Sequence, residues 1–185
     1  VIGKMKIDDK KFDVLFEKRE IEKRIHKVAK KIQHDFYGDE LTVICILKGA
    51  FIFASDLIRQ FDSIRCNINF IQISSYENKT ESSGNVKLIS DINVDIKGKN
   101  ILIVEDIVDS GLSLSYLTKM LNERQPKKLK TCVFIDKKPR RKIEFKPDYV
   151  CFDLDEDLFV IGYGLDYQNN YRELDEVYFM DESRS

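Results

Sequence analysis

Residues Asn100 to Ser113 read Asn-Ile-Leu-Ile-Val-Glu-Asp-Ile-Val-Asp-Ser-Gly-Leu-Ser. The unbroken apolar run Ile101 to Val104 suits a strand buried on both faces of a parallel sheet. The run stops at Glu105 and Asp106, then come Asp109 and a Ser-Gly-Leu-Ser turn, and a helical pattern follows from Leu114. Three acids within five positions at such a strand end lie at the carboxyl edge, where open α/β sheets bind ligands. The N–H groups of the turn and the positive end of the helix behind it make an anion site. Carboxylates beside it can hold sugar hydroxyls, a metal or a proton. The pattern points to a sugar-phosphate site, set against the plainer alternative of solvated acids with Asp109 as a helix cap.

Composition narrows the setting. A chain of 185 residues buries a full core as a single domain, residues 1–185, without staples. Cys45, Cys66, Cys132 and Cys151 are widely spaced in mostly apolar surroundings and read as reduced thiols of a cytoplasmic protein. With only His26 and His34 beside them, no zinc-ligand spacing appears. Residues 1–11 lack the apolar core of about 7–15 residues that a signal peptide needs, and no run approaches the ~20 apolar residues of a membrane span. The 31 basic and 32 acidic residues are intermingled, so no long-range attraction to nucleic acid or acidic membranes is expected.

Around the central stretch the periodicity alternates between strand and helix. Ile21, Ile25, Val28, Ile32 and Phe36 give an amphipathic helix. Leu41 to Leu47 is a second buried strand, followed by Lys48-Gly49 and a helix from Phe51 to Phe61, again the layout of an anion site. Cys66 to Ser74 predicts a strand leading into the polar stretch 75–84, which predicts a long loop of the kind that often forms a lid. Leu129 to Ile135 predicts a strand ending in Asp136-Lys137-Lys138-Pro139-Arg140-Arg141, a cluster whose composition reads as solvated surface. Tyr149 to Leu154, Leu158 to Ile161 and Val177 to Met180 complete the strands, an α/β pattern with a mainly parallel central sheet flanked by helices.

The acidic stretch resembles the phosphoribosyl-pyrophosphate signature of the type I phosphoribosyltransferases. Leu47-Lys48-Gly49, Ser75-Tyr76, Asp136-Lys137, Lys146-Pro147-Asp148 and Gly162-Tyr163-Gly164-Leu165-Asp166-Tyr167 with Arg172 extend that resemblance to the hypoxanthine-guanine branch over nearly the whole chain. It implies a small hood built from the chain ends and a flexible loop. It also implies transfer of a 5-phosphoribosyl group from phosphoribosyl pyrophosphate to N9 of a 6-oxopurine, giving IMP or GMP and pyrophosphate. Magnesium and a homodimer or homotetramer belong to the same implication.

By the same resemblance, Glu105 and Asp106 hold the ribose hydroxyls, and Asp109 is the general base near N7 of the purine. Asp109, Ser110, Gly111, Leu112 and Ser113 cradle the 5-phosphate. Leu47, Lys48, Gly49 and Arg172 take the pyrophosphate, with the Leu47–Lys48 peptide in the cis form. Lys137 donates to the purine O6, Phe159 stacks on its ring, and Val160 and Asp166 complete that pocket. Asp166, Glu105 and Asp106 are the oxygen ligands available to magnesium, and Ser75 and Tyr76 head the lid. A regulatory protein that binds nucleotide and RNA on the same fold is the rival reading, disfavoured by the balanced charge and by Asp136-Lys137. Neither Gly-x-x-x-x-Gly-Lys-Ser/Thr nor Gly-x-Gly-x-x-Gly occurs, which argues against a nucleotide-sugar or kinase-like enzyme.

Overall fold

The structure, a computed structural model, describes residues 5–7, 10–75 and 86–180. In chain order the elements are β1 (Met5–Ile7), β2 (Lys10–Phe16), α1 (Lys18–Asp35), β3 (Glu40–Leu47), α2 (Phe51–Ile58), β4 (Arg65–Ser75) and β5 (Val86–Ser90). They continue with β6 (Asn100–Val108), α3 (Leu112–Asn122), β7 (Lys128–Lys137), β8 (Tyr149–Leu154), β9 (Val160–Ile161) and β10 (Val177–Met180).

The uninterrupted apolar runs become strands whose two faces are both covered. In β3, Leu41, Val43 and Cys45 pack with α1 and α2, whereas Ile44 and Ile46 pack on the other side with α3. The same alternation sends Leu102 and Val104 of β6 to the α1–α2 side and Ile101 and Ile103 to the α3 side. On α1, Ile21, Ile25, Val28, Ala29 and Ile32 recur at helical spacing and are all buried. Each fully buried isoleucine there contributes about 1.5–3 kcal/mol.

The large sheet runs β5-β4-β3-β6-β7-β8, parallel throughout except for the antiparallel edge strand β5. Numbered by chain position, its five parallel strands lie in the order 2-1-3-4-5, so the winding reverses between β3 and β6. Beyond the carboxyl ends of strands at such a reversal lies the crevice in which open α/β sheets bind ligands. Lys48-Gly49 leaves β3 and the acidic stretch leaves β6 at this point.

A second, antiparallel sheet of order β1-β2-β10-β9 is built from both ends of the described chain, the hood that the resemblance implies. Stacking of Phe16 on Phe152, with ring centroids 3.9 Å apart, ties its strand β2 to β8 of the large sheet. The lid expected from the polar stretch lies outside the described residues beyond Ser75, and so does Tyr76. Among the described residues no helix is long and apolar enough to cross a membrane.

Two strands run further than their apolar segments. β6 continues through Glu105 and Asp106 to Val108, and β7 through Asp136 and Lys137. The acids and the lysine are thus paired sheet residues rather than the start of loops. Glu105, Asp136 and Lys137 are all buried, which corrects the reading of 136–141 as solvated surface at its first two positions, while Lys138, Pro139 and Arg140 are exposed as that reading expects. All four cysteines are free thiols, three of them buried, and burial pushes Cys45 and Cys151 up to about 12.

Candidate active site

The turn after β3 is held against β6 with no room to spare. The Leu47–Lys48 peptide is cis, as the resemblance implies. A Cβ on Gly49 would stand 1.5 Å from Asp106 Oδ2, so only a glycine lets this backbone lie against the carboxylate. From the other side Gly164, at φ +95°, presses on the same residue: a Cβ there would stand 2.2 Å from the Gly49 carbonyl oxygen. Lys48 itself is exposed at the mouth of the crevice.

Glu105 and Asp106 sit side by side in the last part of β6. The Asp106 N–H donates to Glu105 Oε1 at 3.1 Å, and the Ile107 N–H donates to Asp106 Oδ1 at 2.8 Å. Burial, and then the neighbouring Asp106 charge, push the Glu105 carboxyl well above its ordinary range. Asp106 is also raised by burial, while its hydrogen bonds and the Arg172 guanidinium pull the other way. Two adjacent buried carboxyls of this kind call for hydroxyl donors or a cation.

Asp109 follows the strand but is not the cap of α3. The N-cap is Gly111, in the left-handed region at φ +82°, and the helix begins at Leu112, two residues earlier than its apolar pattern suggests. Asp109 Oδ1 is buried without a hydrogen-bond partner among the described residues. An orphaned buried acceptor is costly, on the order of 1–3 kcal/mol, and so marks a place where a ligand proton would be taken up.

The loop Asp109–Ser113 rests on the segment that follows β7. Arg141, half-hidden behind the loop, donates from Nε to the Asp109 carbonyl at 3.0 Å and from Nη2 to the Val108 and Lys137 carbonyls at 3.4 Å. It also donates to the Phe145 carbonyl and pairs closely with Asp136. The N–H groups of Lys142 and Ile143 donate to the Ser110 carbonyl at 3.0 and 3.2 Å. The sequence reading passed over Arg141. Its only signal was the spacing from Asp136, and its main partners are backbone carbonyls, which a sequence does not display.

On the other flank of β6, Lys137 is paired with Asp157 at 2.7 Å, and Arg140 Nε meets the same carboxylate at 2.8 Å. Phe159 leaves its ring 40% exposed and stands edge-on to Tyr167, with centroids 5.8 Å apart. Val160 is buried in β9. Arg172 pairs with Asp166 at 2.7 Å and donates to the Gly164 carbonyl at 2.6 Å, while Gly164 N–H returns a bond to the Arg172 carbonyl at 2.9 Å. Lys137 and Arg172, which the resemblance assigns to substrate, are here paired with the carboxylates of Asp157 and Asp166.

Among the described residues no three His, Cys, Asp or Glu side chains converge as metal ligands. The carboxylate oxygens of Glu105, Asp106 and Asp166 are of the ligand type that suits magnesium, which takes most of its remaining ligands from substrate and water.

Comparison with known proteins agrees with this architecture. The model of the phosphoribosyl transferase domain family matches residues 12–168. The hypoxanthine-guanine phosphoribosyltransferase of Aquifex aeolicus is 42% identical, over 95% of this chain and 98% of its own. A crystal structure of the Bacillus anthracis hypoxanthine-guanine phosphoribosyltransferase superposes with a TM-score of 0.85 at 43% identity, covering 90% of this chain and 97% of that one. A Trypanosoma cruzi hypoxanthine phosphoribosyltransferase variant, solved as a ternary substrates complex, gives 0.84 at 40% identity, covering 92% and 95%. With the family model matching residues 12–168 and relatives above 40% identical over nearly the whole chain, the chain belongs to the phosphoribosyltransferase family, in its hypoxanthine-guanine branch.

Proposed function

We propose that residues 1–185 act as one domain that transfers the 5-phosphoribosyl group from phosphoribosyl pyrophosphate to N9 of hypoxanthine or guanine. The products are IMP or GMP and pyrophosphate. The observation that carries the mechanism is the buried, unpartnered Asp109 oxygen beside the phosphate loop at the winding reversal.

In this reading the loop 109–113 receives the 5-phosphate on its N–H groups and on the hydroxyls of Ser110 and Ser113. Glu105 and Asp106 accept from the two ribose hydroxyls, which relieves their mutual repulsion. As the bond from C1 to pyrophosphate breaks and the bond from N9 to C1 forms, Asp109 takes the proton at N7. The carboxylates around C1 favour its developing positive charge. Lys137 turns from Asp157 toward the purine O6, Phe159 stacks on the ring, and Val160 and Asp166 border it. Arg172, Lys48 and the Leu47-Lys48-Gly49 turn, through its N–H groups, take the pyrophosphate, with Ser75 and Tyr76 heading a lid over it.

Magnesium, when bound, neutralises the departing pyrophosphate. Glu105, Asp106 and Asp166 would hold it largely through substrate oxygens and water. The family resemblance also supports a homodimer or homotetramer working in the cytoplasm.

Initial rates with magnesium, phosphoribosyl pyrophosphate and each of hypoxanthine, guanine, xanthine and adenine test this reading. Hypoxanthine or guanine should release pyrophosphate at least ~10²-fold faster than adenine, because a buried donor aimed at O6 is left unpaired by a 6-amino group. No release with any purine would sink the proposal.

A further inference from the structure

Three successive carbonyls, from Val108 at the end of β6 into the phosphate loop, are held from behind by one short segment. Arg141 takes those of Val108 and Asp109, and the N–H groups of Lys142 and Ile143 take that of Ser110. In a trans peptide the C=O of one residue and the N–H of the next point in opposite directions. Pinning the carbonyls of 108, 109 and 110 backward therefore aims the N–H groups of 109, 110 and 111 forward, the arrangement an anion nest requires.

The loop lies close against this segment. A Cβ at Gly111 would stand 3.1 Å from the Ile143 carbonyl oxygen and 3.2 Å from Arg141 Cδ. Asp136, the buried partner of Arg141, is the neighbour of Lys137 in β7 and sits opposite Val108 in the sheet register. One guanidinium thus joins the end of the strand that carries the acids to the end of the strand that carries the purine lysine.

We infer that Arg141 is the positioning residue of the 5-phosphate site: its planar fork sets the loop carbonyls, and through them the N–H groups that receive the phosphate. Arg141 does not meet the phosphate itself. The inference rests on the reading of 109–113 as the phosphate loop. A lysine cannot replace it, because an ammonium offers a single point of donation where the fork spans Asp136 and two strands' carbonyls.

The test compares the affinities of IMP and inosine, which differ only in the phosphate, by calorimetric titration or ligand-observed NMR. Arg141→Lys keeps a charge opposite Asp136. If it fails to fold, the double variant Arg141→Gln with Asp136→Asn removes both buried charges together. Wild type should prefer IMP strongly. The variant that folds should lose that preference by on the order of 10²-fold, the cost of misplacing a binding group by about an ångström, while inosine binds as before.

A merely structural role for Arg141 would weaken both ligands in parallel, and that result would overturn the inference. So would an unchanged preference for IMP. Wild type binding IMP no better than inosine would instead remove the phosphate-loop reading, and the inference with it.

Discussion

Glu105 is the residue whose chemistry is most exposed to a direct check. Burial and the Asp106 charge hold its carboxyl well above the ordinary value near 4.3. The folded chain therefore binds more protons than the unfolded one from about pH 4 up to the raised value. Its stability is full below the unfolded pKa and is lost as pH rises through the folded one. Glu105→Gln should unfold at least ~2–4 °C higher than wild type at pH 8, the shift that about 1 kcal/mol gives in a chain this size, with no gain at pH 4. Thermal unfolding across pH measures this, and a variant less stable than wild type at pH 8 would refute the assignment. Asp109 differs in kind: its Oδ1 is buried with no hydrogen-bond partner among the described residues, while its carbonyl is tied to Arg141. Rigid backbone behind a free acceptor is what a base needs before it meets its proton.

At the scale of elements, the turn after β3 is the tightest junction. Gly49→Ala would drive a Cβ into Asp106 Oδ2, so the turn or the carboxylate must move. Overpacking of this sort costs about 1–3 kcal/mol, and both displaced groups belong to the sugar-pyrophosphate side. The KM for phosphoribosyl pyrophosphate should rise by on the order of 10²-fold with far less change in the KM for hypoxanthine; equal changes would mean the turn does not serve the sugar donor. The strands themselves were legible because β-branched runs covered on both faces leave a clear signal, as at Ile101 to Val104. Their ends were not. Polarity in a sequence ordinarily marks exposure, yet Asp136 and Lys137 are buried because Arg141 and Asp157 compensate them from five and twenty positions away. The three acids and their spacing pointed to the strand end at which the winding reverses, the end proposed to take the sugar phosphate. The brace behind it stayed hidden, since a basic cluster shows neither which member turns inward nor that backbone carbonyls await it.

The whole molecule places two construction principles face to face. A parallel sheet supplies the crevice at its winding reversal, with Lys48-Gly49 on one side and Glu105 to Asp109 on the other. The antiparallel hood, made from chain ends, brings Val160, and the chain between its strands β9 and β10 brings Gly164, Asp166 and Arg172 over that crevice. Gly164 pressing on Gly49 is a second junction, beside the Phe16–Phe152 stack, at which this part of the chain meets the large sheet. The pairs Lys137–Asp157 and Arg172–Asp166 hold side chains that the proposed reaction assigns to purine and pyrophosphate, so each cation there has a carboxylate partner before any substrate arrives.

The central claim is that this crevice joins a purine to an activated ribose phosphate with Asp109 managing the proton. A single-turnover experiment, with enzyme in excess over phosphoribosyl pyrophosphate, magnesium present and hypoxanthine added, tests it most directly. Wild type should form IMP and pyrophosphate in equal amounts, and Asp109→Ala should form them ~10²–10⁴-fold more slowly. Pyrophosphate released without IMP, or an unchanged rate in the variant, would contradict the account.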